Sequence, residues 1–461
     1  MTKGFFKRKT EAWLLLLTAV VTLTAVVSLE LAQGNELSSG IFLLVGGFFL
    51  IFLVAHVVMN WVAPDADQVI LPVAALLNGL GLVMIYRIDL ATGMSLAKSQ
   101  IMWMVVGVGL LVAVLVFLKD HRSLQDYAYL MGLVGLVLLA LPIVWPTSLN
   151  ADANVWISIG PFSIQPGEFA KILLLLFFAA LLVSKRRLFS VTGKSLLGLQ
   201  FPRMRDMGPL FLVWGLAMVI SAAQNDFGPA LLLFATVLGM LYIVTERASW
   251  VVLGVGLASV GAIAVYQVSD KIQTRVANFV DPFADFHNRG LQLAQSLFGL
   301  SYGGITGKGL GEGYPELIPV VQSDFILSAF GEELGLIGLS AILLLYAIFV
   351  LRGFTVSMHA SDSFGKLVAA GLSLTVAVQV FVVVAGISKL MPMTGLTTPF
   401  LAHGGSSLLA NYILLAILLR ISDSARARRA VQDEGTKSGG KDDKSNEKQG
   451  AAQNNGEGEL A

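Results

Sequence analysis

The chain has 461 residues, of which 56% are hydrophobic and 13% are charged, and its net charge at pH 7 is +1. This composition is too apolar for a soluble globular protein of this length. The absence of cysteine from the sequence excludes disulfides and cysteine-ligated metals. Runs of about 20 mostly apolar residues recur, which is the length that a membrane-spanning helix needs. The fold class predicted is an all-α polytopic membrane protein rather than a β-barrel of short alternating strands.

Twelve apolar runs predict about twelve transmembrane helices. In chain order they are Ala12 to Leu29, Gly40 to Val62, Gln68 to Tyr86, Ile101 to Leu118, Tyr127 to Trp145, Phe169 to Val183, Gly208 to Ala223, Pro229 to Val244, Trp250 to Val268, Phe325 to Leu351, Leu367 to Ile387 and Ser406 to Leu419. One long polar insert, residues 269–324, separates the ninth run from the tenth. Three regions follow: residues 1–67 with two helices, a core at 68–420, and a polar tail at 421–461.

Lysine and arginine concentrate in alternate connections between these runs. By the positive-inside rule this pattern places both termini in the cytoplasm and the insert 269–324 outside the cell. The connection at 63–67 has no basic residue and is the exception. The basic start leads into a first span without a small-residue cleavage site, which predicts an uncleaved anchor in the plasma membrane. The tail after Arg420 is polar enough to predict disorder, with Arg426 and Arg428 either on anionic lipid or simply fixing the topology.

A charged pair enters the sixth predicted span. Pro166 suits the first turn of a helix, and Glu168 and Lys171 lie three residues apart, on one helical face. Two interpretations stay open: a structural ion pair, or an anion site in which Glu168 orients Lys171 toward a diphosphate. Asp226, in the short outer turn 224–229, is interpreted as a turn or capping residue.

The polar insert holds the other candidate residues. Its glycine-rich stretch 303–313, around Lys308, is expected to be a flexible loop whose backbone can approach a sugar or phosphate. Asp324 stands where the insert becomes a membrane helix, so it is either a helix cap or a general base at the membrane surface. Glu332 and Glu333 lie deeper in that helix, and each needs a partner there.

No histidine spacing in the sequence suggests a metal site. Carboxylates such as Asp281 and Asp285 leave open a bound divalent cation, Mg²⁺ or Mn²⁺. No other cofactor is expected, and nothing in the sequence predicts nucleic-acid binding.

Several motifs, in order, resemble one family. Gln165-Pro-Gly-Glu168 with Lys171 resembles its Gln-Pro-Ser-Glu-x-x-Lys, and Gln224 to Gly228 resembles its Gln-Pro-Asp-Leu-Gly. Further matches are Ala153 to Ile157, Arg275-Val276, Asp281-Pro282, Gln295-Ser296, Gly307 to Gly309, Pro392 to Leu396 and Pro399 to Ser407. The family is SEDS (shape, elongation, division and sporulation; RodA, FtsW and SpoVE), whose members are membrane peptidoglycan glycosyltransferases. The resemblance runs from about Gln68 to Arg420.

The resemblance implies a ten-helix glycosyltransferase core at 68–420, preceded by two extra helices as in RodA-like members, which favours a role in elongation over division. It places Asp324 on the family's catalytic aspartate. Lys308, Arg275 and Lys171 are then candidates for stabilising a departing undecaprenyl diphosphate, with Glu168, Gln295 and Ser296 as further substrate-binding candidates. The implied substrates are lipid II and a lipid-linked glycan chain, and the implied partner is a class B penicillin-binding transpeptidase.

Two other function classes stay open from the sequence. A lipid II flippase would use intramembrane polar groups such as Glu168, Lys171, Glu332 and Glu333, although no inverted repeat is evident. A non-catalytic scaffold for the penicillin-binding protein would tolerate Asp324→Asn. A lipid II polymerisation assay on that variant separates these classes from the enzyme.

Overall fold

The computed structural model describes residues 7–145, 155–160, 162–186, 192–196, 199–202 and 208–428. These residues form fifteen α-helices and two small β-hairpins. The helices are α1 Lys9–Ala32, α2 Ser39–Val62, α3 Ile70–Thr92, α4 Leu96–Phe117, α5 Ser123–Asp126, α6 Ala128–Val144, α7 Pro166–Ser184, α8 Gly208–Ala223, α9 Phe227–Thr245, α10 Ala248–Val268, α11 Asp270–Val280, α12 Leu291–Gly303, α13 Ile326–His359, α14 Ser363–Ile387 and α15 Gly405–Arg428. The strands are β1 Ile157–Ile159, β2 Phe162–Ile164, β3 Thr192–Leu196 and β4 Leu199–Pro202.

The helical bundle confirms the predicted fold class. Among the described residues, ten helices are long and apolar enough to cross a membrane, and α6 and α8 are apolar but shorter. Together they correspond in order to the twelve predicted spans. The spans α3, α7, α14 and α15 are the most buried, and α1, α2 and α10 are mostly exposed. The outer faces of the exposed helices therefore suit a lipid environment, in which apolar side chains carry no penalty.

The two hairpins were not expected from the sequence. β1 pairs antiparallel with β2, with Ile157 opposite Ile164, immediately before α7 begins. β3 pairs antiparallel with β4 in the basic connection between α7 and α8. Both are too short to give the alternating pattern that identifies a strand.

Helix α13 contains a break that the predicted tenth span did not include. Gly335 has a left-handed φ of 67°, which interrupts the hydrogen-bond ladder of the helix. The stretch 304–309 supplies the missing partners: Lys308 N and Gly309 N donate to Glu332 O and Glu333 O, and Leu336 N donates to Gly304 O. A non-helical backbone at membrane depth is tolerated where protein groups satisfy it in this way.

The end of the bundle that carries both described termini, called here the terminal end, holds a charged cluster around the connection 63–67. Asp67 accepts ion pairs from Arg352 (2.9 Å) and Arg426, and the buried Arg8 donates to the carbonyls of Ala63 (3.0 Å) and Ala66 (2.8 Å). The basic residues that this connection lacks are thus supplied by neighbouring segments.

Helix α15 continues eight residues past the predicted boundary at Arg420. Ile421 and Ala425 are buried, which gives this extension a packed face. Arg428 Nη1 donates to Ser361 Oγ at 2.8 Å. Residues 429–461, which include Arg429 and the rest of the predicted disordered tail, lie outside the described residues.

Candidate active site

Asp324 lies two residues before α13, in a turn whose backbone is strained. Val320 has a φ of 59°, in the left-handed region that β-branched residues rarely adopt. Ser323 N donates to Val320 O at 3.2 Å to close the turn. Phe325, rather than Asp324, occupies the N-cap position of α13. Asp324 therefore is not the helix cap that one interpretation of the sequence proposed, and its partly buried carboxylate is left for another role.

Arg275 and Asp324 meet on either side of Gly395. A Cβ at Gly395 would lie 3.1 Å from Arg275 Nη2 and 3.7 Å from Asp324 Oδ2. Arg275, on α11, is fixed by a 3.0 Å hydrogen bond from its Nη1 to the carbonyl oxygen of Thr394. Gly395 itself has a φ of 73°, so this backbone conformation favours glycine. The absence of a side chain leaves room for a carboxylate and a guanidinium to face the same small space.

Burial raises the pKa of Asp324 above the usual range of an aspartate. A hydrogen bond from Ser323 and the positive charge of Arg275 act in the opposite direction but do not outweigh burial. A general base works best when its pKa approaches the working pH. The environment of Asp324 therefore moves this group toward the range in which it can accept a proton from a substrate hydroxyl.

A second partly buried carboxylate, Asp226, belongs to the same site. Its turn packs on the segment that carries Gly395, because a Cβ at Gly228 would lie only 2.8 Å from Thr394 O. Burial raises the pKa of Asp226, while the charges of Lys271 and Arg275 lower it. Lys271 Nζ also donates to Asn225 O at 3.0 Å. Sequence reasoning treated Asp226 as a turn residue and gave Lys271 no role, although the resemblance to Gln-Pro-Asp-Leu-Gly was a usable signal.

Glu168 and Lys171 pair as their spacing predicts. Lys171 Nζ donates to Glu168 Oε2 at 2.5 Å and lies 3.5 Å from Gln379 Oε1 on α14. Gln379 Nε2 donates to Thr397 O at 2.7 Å, in the same connection that carries Gly395. Both members of the ion pair are largely buried. The pair therefore ties the start of α7 to the site, while Ala153 and Asn154 of the preceding motif lie outside the described residues.

Lys308 and Gln295 line a different cavity, of about 610 Å³, which Asp324 does not line. Lys308 Nζ lies 3.8 Å from the centroid of the Tyr302 ring. Ser296, predicted to bind substrate, is fully buried and lies 2.7 Å from Ser328 Oγ, so it contributes to packing. The predicted site residues therefore form two groups, one around Gly395 and one in this cavity. Ser296 belongs to neither and lies in the interior.

The glycine-rich stretch 303–313 differs from the flexible loop that was expected. Besides its bonds to the break in α13, Gly311 N donates to Glu333 Oε2 at 3.1 Å. A Cβ at Gly307 would lie 2.2 Å from Glu333 O, so glycine here permits close approach of two backbones. The glycines serve packing against α13, a purpose that composition alone does not distinguish from flexibility.

Glu332 and Glu333 have the partners that burial in a membrane helix requires. Glu333 Oε1 accepts from Arg87 Nε at 2.9 Å, and Glu332 Oε1 accepts from Tyr314 N at 2.7 Å. Arg87 also donates to Gly313 O at 2.7 Å. Sequence reasoning missed Arg87, which connects α3 to the stretch 303–313.

Asp281 and Asp285, the candidate ligands for a divalent cation, each accept a hydrogen bond from their own turn. Asp281 Oδ1 accepts from Phe283 N and Asp285 Oδ1 accepts from Asn288 Nδ2, both at 2.9 Å within their own turns. In the part of the chain that the structure describes, no group of three or more metal-ligating side chains comes together. A bound Mg²⁺ or Mn²⁺ therefore stays a prediction from the sequence.

Comparison with known proteins agrees with this architecture. The sequence is 47% identical over 428 residues to peptidoglycan glycosyltransferase RodA of Mycobacterium tuberculosis, covering 91% of each chain. It is 49% identical over 385 residues to the protein of the same name from Mycobacterium leprae, covering 82% of each. Stage V sporulation protein E of Bacillus subtilis is 29% identical, over 78% of this chain and 98% of that one.

Two solved structures share the fold. A chain from a peptidoglycan synthase complex, in a study of the coordination of polymerisation and crosslinking, aligns with a TM-score of 0.54 and 25% identity, over 83% of this chain and 98% of that one. The Thermus thermophilus rod shape determining protein RodA aligns with a TM-score of 0.56 and 23% identity, over 79% of this chain and 98% of that one. The sequence model of the family described as cell cycle protein, FtsW/RodA/SpoVE, matches residues 67–427. The chain belongs to this FtsW/RodA/SpoVE family.

Proposed function

We propose that the protein is a peptidoglycan glycosyltransferase that polymerises lipid II into glycan strands during cell elongation. The observation that carries this proposal is the pair of side chains beside Gly395, where a carboxylate with a raised pKa faces a fixed guanidinium. The pair lies within the family match, and relatives with 47% and 49% identity are named as this enzyme. The elongation role in this proposal is supported by a solved relative that is described as a rod shape determining protein.

The geometry supports a base-assisted glycosyl transfer. Asp324 takes the proton from a sugar hydroxyl of lipid II, and the hydroxyl oxygen attacks the anomeric carbon of the lipid-linked chain. A new glycosidic bond forms as the bond from that carbon to the diphosphate breaks. Undecaprenyl diphosphate leaves with the bonding electron pair. The negative charge that develops on it is stabilised by a preorganised cation, and Arg275 is held in place for this purpose by Thr394 O.

Lys171 and Lys271 are additional cations around this centre. Lys171 is already paired with Glu168 at 2.5 Å, so its contribution is mainly to hold α7 against the site. Lys271 reduces the effect of burial on the pKa of Asp226, which places its charge close to that carboxylate.

For this function the terminal end of the bundle lies in the cytoplasm and Asp324 lies at the outer face of the membrane. The support is the gathering of Arg8, Arg352, Arg420 and Arg426 at the terminal end, as the positive-inside rule expects of a cytoplasmic face. Lipid II and the glycan strand would then react outside the cell. A class B penicillin-binding transpeptidase is the proposed partner, because one solved relative comes from a peptidoglycan synthase complex.

The test is polymerisation of lipid II by the purified full chain, with and without its transpeptidase partner, on a gel that resolves glycan strands. Wild type should make polymer and Asp324→Asn should not. Asp126→Asn is the matched control, because Asp126 is an exposed aspartate on α5 that belongs to none of the motifs or candidate sites. Polymer from Asp324→Asn would refute the assignment of the base. No polymer from wild type with the partner present would favour the flippase or scaffold alternative.

A further inference from the structure

We propose that Gln379 is a positioning residue, which links the buried ion pair of Glu168 and Lys171 to the reactive pair of Asp324 and Arg275. This inference rests on the proposed function, because that function assigns the chemistry to the reactive pair. Gln379 lies on α14 and belongs to none of the motifs that carry the family resemblance. It acts through the backbone of the connection between α14 and α15.

The amide of Gln379 lies between two groups of opposite hydrogen-bonding character. Gln379 is only 1% exposed. Its Oε1 accepts from Lys171 Nζ at 3.5 Å, and its Nε2 donates to Thr397 O at 2.7 Å. A lysine ammonium only donates and a backbone carbonyl only accepts, so a single orientation of the amide satisfies both neighbours. The amide therefore ties the backbone at Thr397 to the ion pair on α7.

The segment 392–398, called here the connecting segment, depends on such side-chain partners because it contains no helix or strand. A buried backbone carbonyl without a partner costs free energy comparable to a lost hydrogen bond. Thr397 is held from a second side, since its Oγ1 donates to Ser407 Oγ on α15 at 3.0 Å. Its neighbours Leu396 and Thr398 are buried. Side chains of α14 and α15 thus set the position of the connecting segment.

The other end of the connecting segment holds the reactive pair. Thr394 O accepts the 3.0 Å hydrogen bond that fixes Arg275. The next residue, Gly395, provides the space in which Arg275 and Asp324 face each other. Thr394 and Thr397 are three residues apart, which is at most ~10 Å of chain. A displacement of Thr397 is therefore passed over a short path to Thr394 O and to the guanidinium.

The consequence of losing the Gln379 amide is electrostatic. The charge of Arg275 opposes the effect of burial on the pKa of Asp324. A guanidinium that loses its anchor spends less time beside the carboxylate, so the pKa of Asp324 rises further. The cation also leaves the position in which it stabilises the departing diphosphate, and a misplacement of ~1 Å can cost about 10²-fold in rate. Since Gln379 is buried away from lipid II, substrate affinity should change little.

The test replaces Gln379 by methionine, which is similar in length and neutral but has no N–H. We expect Gln379→Met to lower kcat about tenfold to a hundredfold per folded molecule, with KM for lipid II within about twofold. The acid limb of the pH–rate profile should move to higher pH. Thr375→Val is the matched control, because Thr375 is buried one turn earlier on α14 and donates to Gly371 O within that helix. Its kcat and acid limb should match those of wild type.

A double variant separates positioning from packing. In Arg275→Gln the group that Gln379 positions is already absent, so adding Gln379→Met should lower kcat by less than about threefold more. Labelling of Asp324 by a hydrophobic carbodiimide, which reacts with the protonated carboxyl, is a second readout that needs no lipid II. The labelling should extend to higher pH in Gln379→Met than in wild type. In the double variant it should extend no further than in Arg275→Gln.

Two results would overturn the proposal. One is an equal fold-loss of kcat on adding Gln379→Met to wild type and to Arg275→Gln, because the effect would then be independent of Arg275. The other is a lower melting temperature with unchanged kcat and unchanged labelling of Asp324, which would make Gln379 a packing residue only. A wild-type chain that makes no polymer would reject the proposed function, while the shift in labelling would still support the positioning role.

Discussion

Two partly buried aspartates lie at opposite ends of α13, and the groups around them differ. Asp362, just after the helix, accepts hydrogen bonds from Gly365 N (2.7 Å) and Arg122 Nε (3.3 Å) and lies 3.0 Å from His121 Nε2. Burial would raise its pKa, but these hydrogen bonds and charges outweigh burial and hold the pKa well below the usual range. Asp324, just before the helix, has Ser323 and Arg275 for partners, and burial prevails.

The comparison separates a structural carboxylate from a reactive one. Asp362 caps α14 and gains stability from being charged, as capping aspartates do. Asp324 has no capping role, and the penalty of its burial makes its charged form receptive to a proton. The pKa shifts have opposite directions because Asp324 is the more deeply buried of the two and faces fewer donors than Asp362.

The largest expected difference between the two aspartates is in catalysis. Asp324→Asn should lower the rate of lipid II polymerisation by about 10²- to 10⁴-fold, the usual contribution of a general base. Asp362→Asn should leave the rate per folded molecule within about threefold, because Asn still caps a helix. Rates are measured as polymer formed with time, normalised to protein that elutes as a single species. Equal losses of polymerisation rate in Asp324→Asn and Asp362→Asn would contradict the assignment of Asp324 as reactive and Asp362 as structural.

A buried carboxylate that loses its guanidinium partner should cost the most stability. Arg87→Met leaves Glu333 in the bundle without its 2.9 Å partner, and we expect a loss of about 3–5 kcal/mol in the free energy of unfolding. The loss of stability is measured as a lower melting temperature of the variant in lipid nanodiscs. Arg289→Met is the control, since Arg289 is an exposed arginine. A combined Arg87→Met, Glu333→Leu variant should recover much of the loss, and failure to recover would mean that Arg87 acts through its other partners, Gly313 O at 2.7 Å and Glu316 at 3.5 Å.

Asp362→Ala should cost about 1–2 kcal/mol, because it removes the cap of α14. The stability that Asp362 contributes to the wild-type protein depends on pH. Since the folded pKa of Asp362 is lowered, its stabilisation is complete above the unfolded value of about 3.9 and is lost as pH falls below it. Melting temperatures of wild type and Asp362→Ala should therefore converge on acidification. If the difference in melting temperature stayed constant down to acid pH, the charge of Asp362 would not be the source of its stabilisation.

The smallest effect is the shift that Arg275 causes in the acid limit of activity, which is separate from the loss of rate expected when its stabilisation of the diphosphate is removed. The reactive form of Asp324 is the carboxylate, so the rate falls as pH drops through its raised pKa. Arg275 holds that pKa lower than burial alone would, so Arg275→Gln should move the acid limb of the pH–rate profile to higher pH. The measurement is kcat/KM for lipid II against pH. An unmoved limb would mean that another group titrates there.

The sequence predicted the helices because membrane spans are long and apolar throughout. It did not predict the break at Gly335, since one glycine among apolar residues leaves hydropathy unchanged. The spacing of Glu168 and Lys171 predicted their ion pair, because residues three apart share a helix face. The partnership of Arg87 with Glu333 joins residues far apart in the chain, and no local pattern contains that information. Ser296 was predicted to bind substrate because it matches a family motif. The motif carries no information about burial, and the side chain is buried.

The two N-terminal helices have a practical consequence. The family match begins at residue 67, yet Leu29 of α1 packs on Gly311 and on a small apolar cluster with Val83 and Leu310. Gln33 also donates a hydrogen bond to Gly311 O. Trimming the chain to the matched region would uncover apolar surface and remove a support of the stretch that carries Lys308. Expression work that uses the family boundary as a domain boundary would cut through the fold.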